Sequence, residues 1–296
     1  MVKSESFSDV LFLGSRYAQH PLGGIRHKIY LFCVPELNIA SLHVSTVFDK
    51  EFSNATMQVM LDIANESSYI DKTGRVLEKE VEDIRIGFEL RDPEGRLVNI
   101  GTKDIKVSSI KSWQTLSYQV NIPVKAPKKW DPEHPNLYVL SCQLKAGGKK
   151  LQTSRQRFGF RQIEVRGNRL LVNGMPVKLR GIARHETHPI LGRSLTPEMA
   201  REEVELYRKA NINYIRTSHY PQAEEFMDMC DSLGMFVEEE APICHVAVSY
   251  GHSTLWKKTH CFEPKYREAI VRPALEMVQR DRSHPSVILW SLGNES

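Results

Sequence analysis

The chain has 296 residues, of which 41% are hydrophobic and 26% charged, and its 40 basic and 36 acidic side chains leave a net charge of +4. This is the composition of a folded protein with length for more than one domain, and apolar runs such as Val287 to Trp290 fall far short of the roughly 20 residues a membrane span needs. Charge is spread with no basic block among aromatics, which argues against a nucleic-acid partner. Cys33, Cys142, Cys230, Cys244 and Cys261 are odd in number and lack a C-x-x-C pair, so neither a disulfide frame nor a zinc knuckle is expected.

In chain order, Met1-Val2-Lys3-Ser4-Glu5 leads into no apolar segment, so no signal peptide and a cytoplasmic location are expected. Gly23-Gly24-Ile25 and Tyr30-Leu31-Phe32 read as the end of another domain, because 38 residues alone cannot bury a core. From Ser41 to Arg161 the pattern has period two, as half-buried strands require. Leu42, Val44, Thr46 and Phe48 form one set, Met57, Val59, Leu61 and Ile63 a second, and Ile84, Ile86, Phe88 and Leu90 a third. Leu116 to Ile122 and Leu137 to Leu144 continue the series, with turns at Asp92-Pro93-Glu94-Gly95 and Gly147-Gly148. Short strands joined by polar turns predict an antiparallel sandwich of immunoglobulin type.

After Arg161 the period changes. Thr196-Pro197 is a helix start, followed by Ala200, Val204, Tyr207 and Ala210 at helical spacing. Asn213 to Thr217 reads as a strand, Ala223 to Leu233 as a helix stopped by Gly234, and Met235 to Glu239 as a strand. Arg267 to Arg280 reads as a helix that Pro273 bends, with Ile270, Ala274, Met277 and Val278 inward, and Val287 to Trp290 as a buried strand. Strand then helix, repeated, means βα units in a barrel or an open doubly wound sheet.

Four polar clusters each follow a predicted strand: Arg180 to Glu186, Arg216 to Pro221, Glu238 to Pro242, and Ser291 to Ser296. At the carboxyl ends of barrel strands such groups converge on one mouth. Any one cluster has a blander reading: a lone histidine is usually packed or solvated, and Glu238-Glu239-Glu240 reads as a solvated stretch with at least one partner for Arg216 or Lys178.

Residues 163–296 resemble glycoside hydrolase family 2, the family of β-galactosidases and β-glucuronidases. The resemblance rests on Asn173-Gly174 through Val177-Lys178-Leu179-Arg180-Gly181, then Arg184-His185-Glu186, then Arg216-Thr217-Ser218-His219-Tyr220-Pro221. It continues in Asp281-Arg282-Ser283-His284-Pro285-Ser286-Val287 and Trp290-Ser291-Leu292-Gly293-Asn294-Glu295-Ser296. Upstream, Trp130-Asp131-Pro132, Pro135-Asn136-Leu137-Tyr138 and Phe158-Gly159-Phe160-Arg161 resemble the close of the family's sandwich domain, and residues 23–35 the tail of its jelly-roll domain. The implied organisation is a jelly-roll remnant at 1–38, an immunoglobulin-like β-sandwich at 39–161, and the first half of a (β/α)8 TIM barrel at 162–296. Glu295 is then the general acid/base, Asn294 the residue bonded to the sugar 2-hydroxyl, and His185 and His219 sugar-binding groups. Arg216 is placed against the nucleophilic carboxylate of a retaining mechanism.

Departures from the family pattern set further expectations. The nucleophile lies on a later strand, so the chain is expected to be a fragment, inactive alone, whose partners are a β-glycoside, a missing C-terminal portion, or a second copy at the open barrel edge. Ile243-Cys244-His245-Val246 lacks the Glu-x-His pair that binds a divalent ion in some β-galactosidases, so no cofactor or metal is expected; His185 and His188 are not spaced as a zinc helix. Ala183 stands where the family often has Asn. Ser291 to Ser296 favours a β-galactosidase, while Arg216 to Asp231 resembles β-glucuronidases equally, and a non-catalytic sugar-binding remnant is the alternative from another class.

Overall fold

The computed structural model describes residues 27–101, 104–243, 264 and 267–294. They fall into two units, Tyr30–Val177 and the described part of Met1–Ile29 with Lys178–Ser296.

The first unit is all β. Its strands are β1 (Leu37–Phe48), β2 (Ala55–Asn65), β3 (Ser68–Ile70), β4 (Val76–Glu78), β5 (Ile84–Arg91), β6 (Leu97–Val98), β7 (Ile105–Val107), β8 (Gln114–Val124), β9 (Tyr138–Ala146), β10 (Lys149–Phe158), β11 (Ile163–Arg166), β12 (Arg169–Val172) and β13 (Met175–Pro176). One antiparallel sheet runs β1-β2-β8 and the facing one β10-β9-β5-β6, with β7 also on β5. Met57, Val59, Leu61 and Ile63 of β2 share one core with Ile84, Ile86 and Leu90 of β5 and with Leu140, Cys142 and Leu144 of β9. Two sheets with one buried face each make the expected sandwich.

Four features escape the period-two pattern. Among the described residues β10 pairs only with β9, which makes it an edge strand, and its lysines and arginines suit an edge that must not recruit another strand. The β3-β4 hairpin is largely exposed, and β11-β12-β13 form a small sheet of their own. Asn65, fully buried at the end of β2, donates to the Lys79 and Ile110 carbonyls at 3.0 and 2.8 Å and accepts from the Ser67 amide at 3.0 Å.

The second unit runs β14 (Gly181–Arg184), α1 (Pro197–Lys209), β15 (Tyr214–Thr217), α2 (Glu224–Leu233), β16 (Phe236–Glu240), α3 (Arg267–Asp281) and β17 (Val287–Ser291). All strand pairs are parallel and the order is β14-β15-β16-β17. A sheet that advances in sequence order without reversing is an arc of a barrel, whereas a doubly wound sheet must switch direction. Thr196 caps α1 by accepting from the Met199 amide, and Gly234 ends α2 at φ 77°, a left-handed backbone that glycine adopts without strain. Gly181 is needed for a second reason: a Cβ there would sit 2.5 Å from the Tyr214 carbonyl oxygen, so β14 and β15 could not approach.

Ala200, Val204, Phe226, Met227 and Cys230 close the helix layer over Ile215, Val237 and Val287. Ala210, expected on the buried face, is the exposed C-cap of α1. The cluster Arg180 to Glu186 does not follow a strand; Gly181–Arg184 is the strand. Most of the segment assigned to a jelly-roll remnant lies outside the described residues. No helix among the described residues is long and apolar enough to cross a membrane.

Asn65→Ala removes one of two donors from each of the Lys79 and Ile110 carbonyls and the acceptor of the Ser67 amide, so urea unfolding is expected to show a loss on the order of 2 kcal/mol. An unchanged midpoint would mean that solvent replaces those bonds.

Candidate active site

Parallel pairing brings the carboxyl ends of β14 to β17 to one side, and one carboxylate joins three of them. Glu240, the last residue of β16, is fully buried. Arg216 at the end of β15 donates to its Oε2 from Nε at 2.7 Å and Nη2 at 2.6 Å. His219 Nδ1 lies 2.6 Å from Oε1, and the Ser291 hydroxyl of β17 donates to Oε2 at 2.8 Å. Arg216 also donates to Asn294 Oδ1 at 2.9 Å. An ion of this size costs several kcal/mol to bury, and a guanidinium, an imidazole and a hydroxyl supply the compensation.

The fourth strand end contributes His185. Its ring meets His219 edge to face at 5.2 Å and lies 6.4 Å from Tyr220. Part-burial and then the neighbouring His219, Arg193 and Arg216 push its pKa below the ordinary imidazole value, with Glu240 acting in the opposite sense. A group so held is neutral at neutral pH and can both donate to and accept from hydroxyls.

The sequence-derived candidates thus divide. Arg216, His219 and Asn294 stand in one hydrogen-bonded cluster with His185 against it, whereas Glu295 and the segment Cys244 to Val246 lie outside the described residues. Arg216 meets Glu240 and Asn294. The glutamate run is not a solvated stretch: Glu239 and Glu240 are fully buried. Period-two alternation accounts for their different roles, since Glu238 bonds Tyr214 of the adjacent strand and Glu240 faces Arg216, while Glu239 turns to the helix side. A five-residue strand ending in a glutamate, beside a strand ending Arg-Thr, was the signal that could have found Glu240.

Behind the strand ends a second buried network holds the helices. Arg184 donates to Glu203 of α1 at 2.9 and 2.6 Å, bonds Gln222, and lies 3.8 Å over the Phe226 ring. Glu186 is fully buried; burial alone would raise its pKa, but His27 at 2.8 Å, the Ala223 amide at 3.1 Å and Arg184 hold it low. His188 accepts from the Ile190 and Leu191 amides and shapes the turn after β14.

Glu239, Arg280 and Asp281 form the third network. Arg280 reaches Asp281 at 2.5 Å, Glu239 at 3.3 Å and the Gln222 carbonyl at 2.9 Å. Burial first, then the hydrogen bond and charge of Asp281, push Glu239 well above the ordinary carboxylate range. Its Oε2 finds no donor among the described residues, a deficit that disappears when that carboxyl carries a proton and shares it with Asp281. Asp228, Asp231 and His284 place potential metal-ligating atoms within 4.8 Å of one another. Two of the three are already bonded to each other, because Asp231 takes the His284 ring at 2.6 Å, and Asp231 also accepts the Ser286 amide at 3.0 Å. Burial disfavours the His284 cation, but Asp231 outweighs it and raises the pKa.

The sequence model for the TIM barrel domain of glycosyl hydrolases family 2 matches residues 163–296, and the companion model for glycosyl hydrolases family 2 matches residues 37–161. The chain belongs to glycosyl hydrolase family 2. It carries the family's sandwich and part of its TIM barrel. A β-galactosidase of Priestia megaterium is 31% identical over 278 residues, covering 93% of this chain and 26% of that protein. A β-galactosidase of Halalkalibacterium halodurans is 31% identical over 283 residues, covering 92% and 25%. The chain therefore spans about a quarter of the length of these curated relatives. Among solved structures, a Bacteroides uniformis β-glucuronidase superposes with a TM-score of 0.69 at 28% identity, covering 87% of this chain and 29% of that one. A Ruminococcus gnavus β-glucuronidase in complex with D-glucuronic acid gives 0.67 at 26%, covering 88% and 38%.

The shared proton of Glu239 has a sign that can be measured. Its pKa in the folded protein, pushed up to about 10 by burial and Asp281, lies above the ordinary carboxylate value, so the folded state holds a proton that the unfolded chain releases and stability falls as pH rises between the two. Glu239→Gln keeps the shape without the ionisation. In pH-dependent urea unfolding the variant is expected to lose up to about 1.4 kcal/mol per pH unit of that downward slope. Parallel curves for the two proteins would show that Glu239 is ionised.

Proposed function

We propose that this chain supplies the acid/base half of a retaining β-glycosidase site acting on terminal β-galactosides. The observation that carries the reading is the single cluster in which Glu240 ties Arg216, His219 and Ser291 together, with Asn294 on Arg216 and His185 on His219. Such a set offers a sugar ring one amide, two imidazoles and a guanidinium from four successive strand ends.

In this reading Glu295, next to Asn294, protonates the glycosidic oxygen and then takes a proton from water. Asn294 bonds the 2-hydroxyl, a contact that strengthens as positive charge develops on the ring. His185 and His219 bind hydroxyls. The contact of Nδ1 with Glu240 at 2.6 Å fixes the orientation of the His219 ring. Retention requires a second carboxylate about 5–5.5 Å from the first. Glu240 does not serve, because it is fully buried and its oxygens are engaged. No residue of this chain is assigned as nucleophile, so binding without turnover is expected of the 296 residues alone.

Galactoside is favoured by the β-galactosidases of Priestia megaterium and Halalkalibacterium halodurans and by the sequence Ser291 to Ser296. Glucuronide is the second reading, favoured by the β-glucuronidase folds and by Arg216 to Asp231.

Titrating the chain with isopropyl β-D-thiogalactoside and with D-glucuronic acid, followed through the histidine ring resonances, tests both. The expected result is saturable shifts at His185 and His219, tighter with the galactoside, and no release of nitrophenol from nitrophenyl β-galactoside. Tighter binding of the uronic acid would favour the second reading; no saturable shift with either sugar would overturn the site.

A further inference from the structure

His185 has an unusual position for a residue expected to meet a sugar. It touches its surroundings through ring faces and edges, with His219 at 5.2 Å and Tyr220 at 6.4 Å. Among the described residues neither of its nitrogens is hydrogen-bonded, so nothing polar fixes the ring. Of the two rings it meets, Tyr220 is the one tied to the backbone beside His185. Tyr220 is buried and its hydroxyl oxygen accepts the Glu186 amide, one residue beyond His185, at 2.9 Å. On its ring lies Arg193, with the guanidinium carbon 4.7 Å from the centroid. Arg193 is only 7% exposed, and among the described residues it has no carboxylate partner. Arginines so buried are ordinarily paired, and this one is held by an aromatic face.

We propose that Arg193 is a positioning residue for His185: it clamps Tyr220 beneath the Glu186 amide and presents an uncompensated positive charge to the imidazole. The clamp fixes the backbone that carries His185, and the charge keeps the ring neutral and its nitrogens free for hydroxyls. The charges facing His185 agree with this. Arg216 and His219 press on it from the end of β15 and Arg193 from its own loop, all disfavouring protonation, while Glu240 from β16 opposes them. Arg193 is the one of these four without a hydrogen bond to another, so its charge is not shared.

The inference rests on the glycoside reading, and the test separates the two. Ring resonances of His185 are followed against pH in the full chain and in Arg193→Gln and Arg193→Lys, and each protein is titrated with isopropyl β-D-thiogalactoside. Arg193→Gln is expected to move the His185 titration upward and to weaken the sugar about five-fold. Arg193→Lys, which keeps the charge and is the variant most easily accommodated, is expected to leave the titration near that of the parent and to recover part of the affinity. A purely structural arginine would lower stability in both variants and leave the titration unmoved, which would overturn the proposal. So would an upward shift of equal size in Arg193→Lys. A shifted titration in Arg193→Gln with no sugar response in the parent would keep the role of Arg193 and sink the glycoside reading. A sugar response in the parent with identical titrations would do the reverse.

Discussion

A buried carboxylate must be compensated on the spot, and Glu240 meets that constraint with groups from its neighbours. Its two oxygens are shared among Arg216, His219 and Ser291, so the ends of β15, β16 and β17 cannot move independently without exposing a charge to an apolar interior. The cluster is thus a structural joint as well as a surface for ligand. The same bonds that close the strand ends aim Arg216 at Asn294 and set the His219 ring.

The parallel sheet supports this joint from behind with two further ionic networks, one about the buried Arg184 and one in which the exposed Arg280 meets the buried Glu239 and Asp281. Arg184 connects β14 to α1 and to Gln222, and Arg280 connects α3 to Gln222 and to Glu239. Gln222 therefore receives both arginines and links the helix layer across β15. Strand alternation separates the tasks: in β16, Glu240 serves the mouth of the sheet and Glu239 its helix side. The sandwich is built on a different principle, apolar alternation with few charges inside, and Asn65 is its main polar insertion.

Much of the fold could be read from the residues because burial there follows a simple period. Met57 to Ile63 and Ile84 to Leu90 declare their faces, and Thr196-Pro197 and Gly234 mark helix ends by backbone chemistry. β10 could not be found that way, since an edge strand of lysines and arginines carries no alternation. At the site, Arg216, His219 and Asn294 were recognisable as polar residues at strand ends, and they do meet. The run of three glutamates was expected to supply a partner for Arg216, and Glu240 is that partner, but which of the three it would be, and that it is buried, depended on a cation from another strand. Arg193 was missed because a cation held by an aromatic ring 27 positions away in sequence leaves no local pattern.

The most direct measurement of the joint is a double-mutant cycle on Glu240 and Arg216, using Glu240→Ala, Arg216→Ala and the pair, read by urea unfolding. If the buried carboxylate holds the strand ends together, the double variant loses much less than the sum of the single losses, with a coupling above about 2 kcal/mol. Losses that add to within about 0.5 kcal/mol would contradict it.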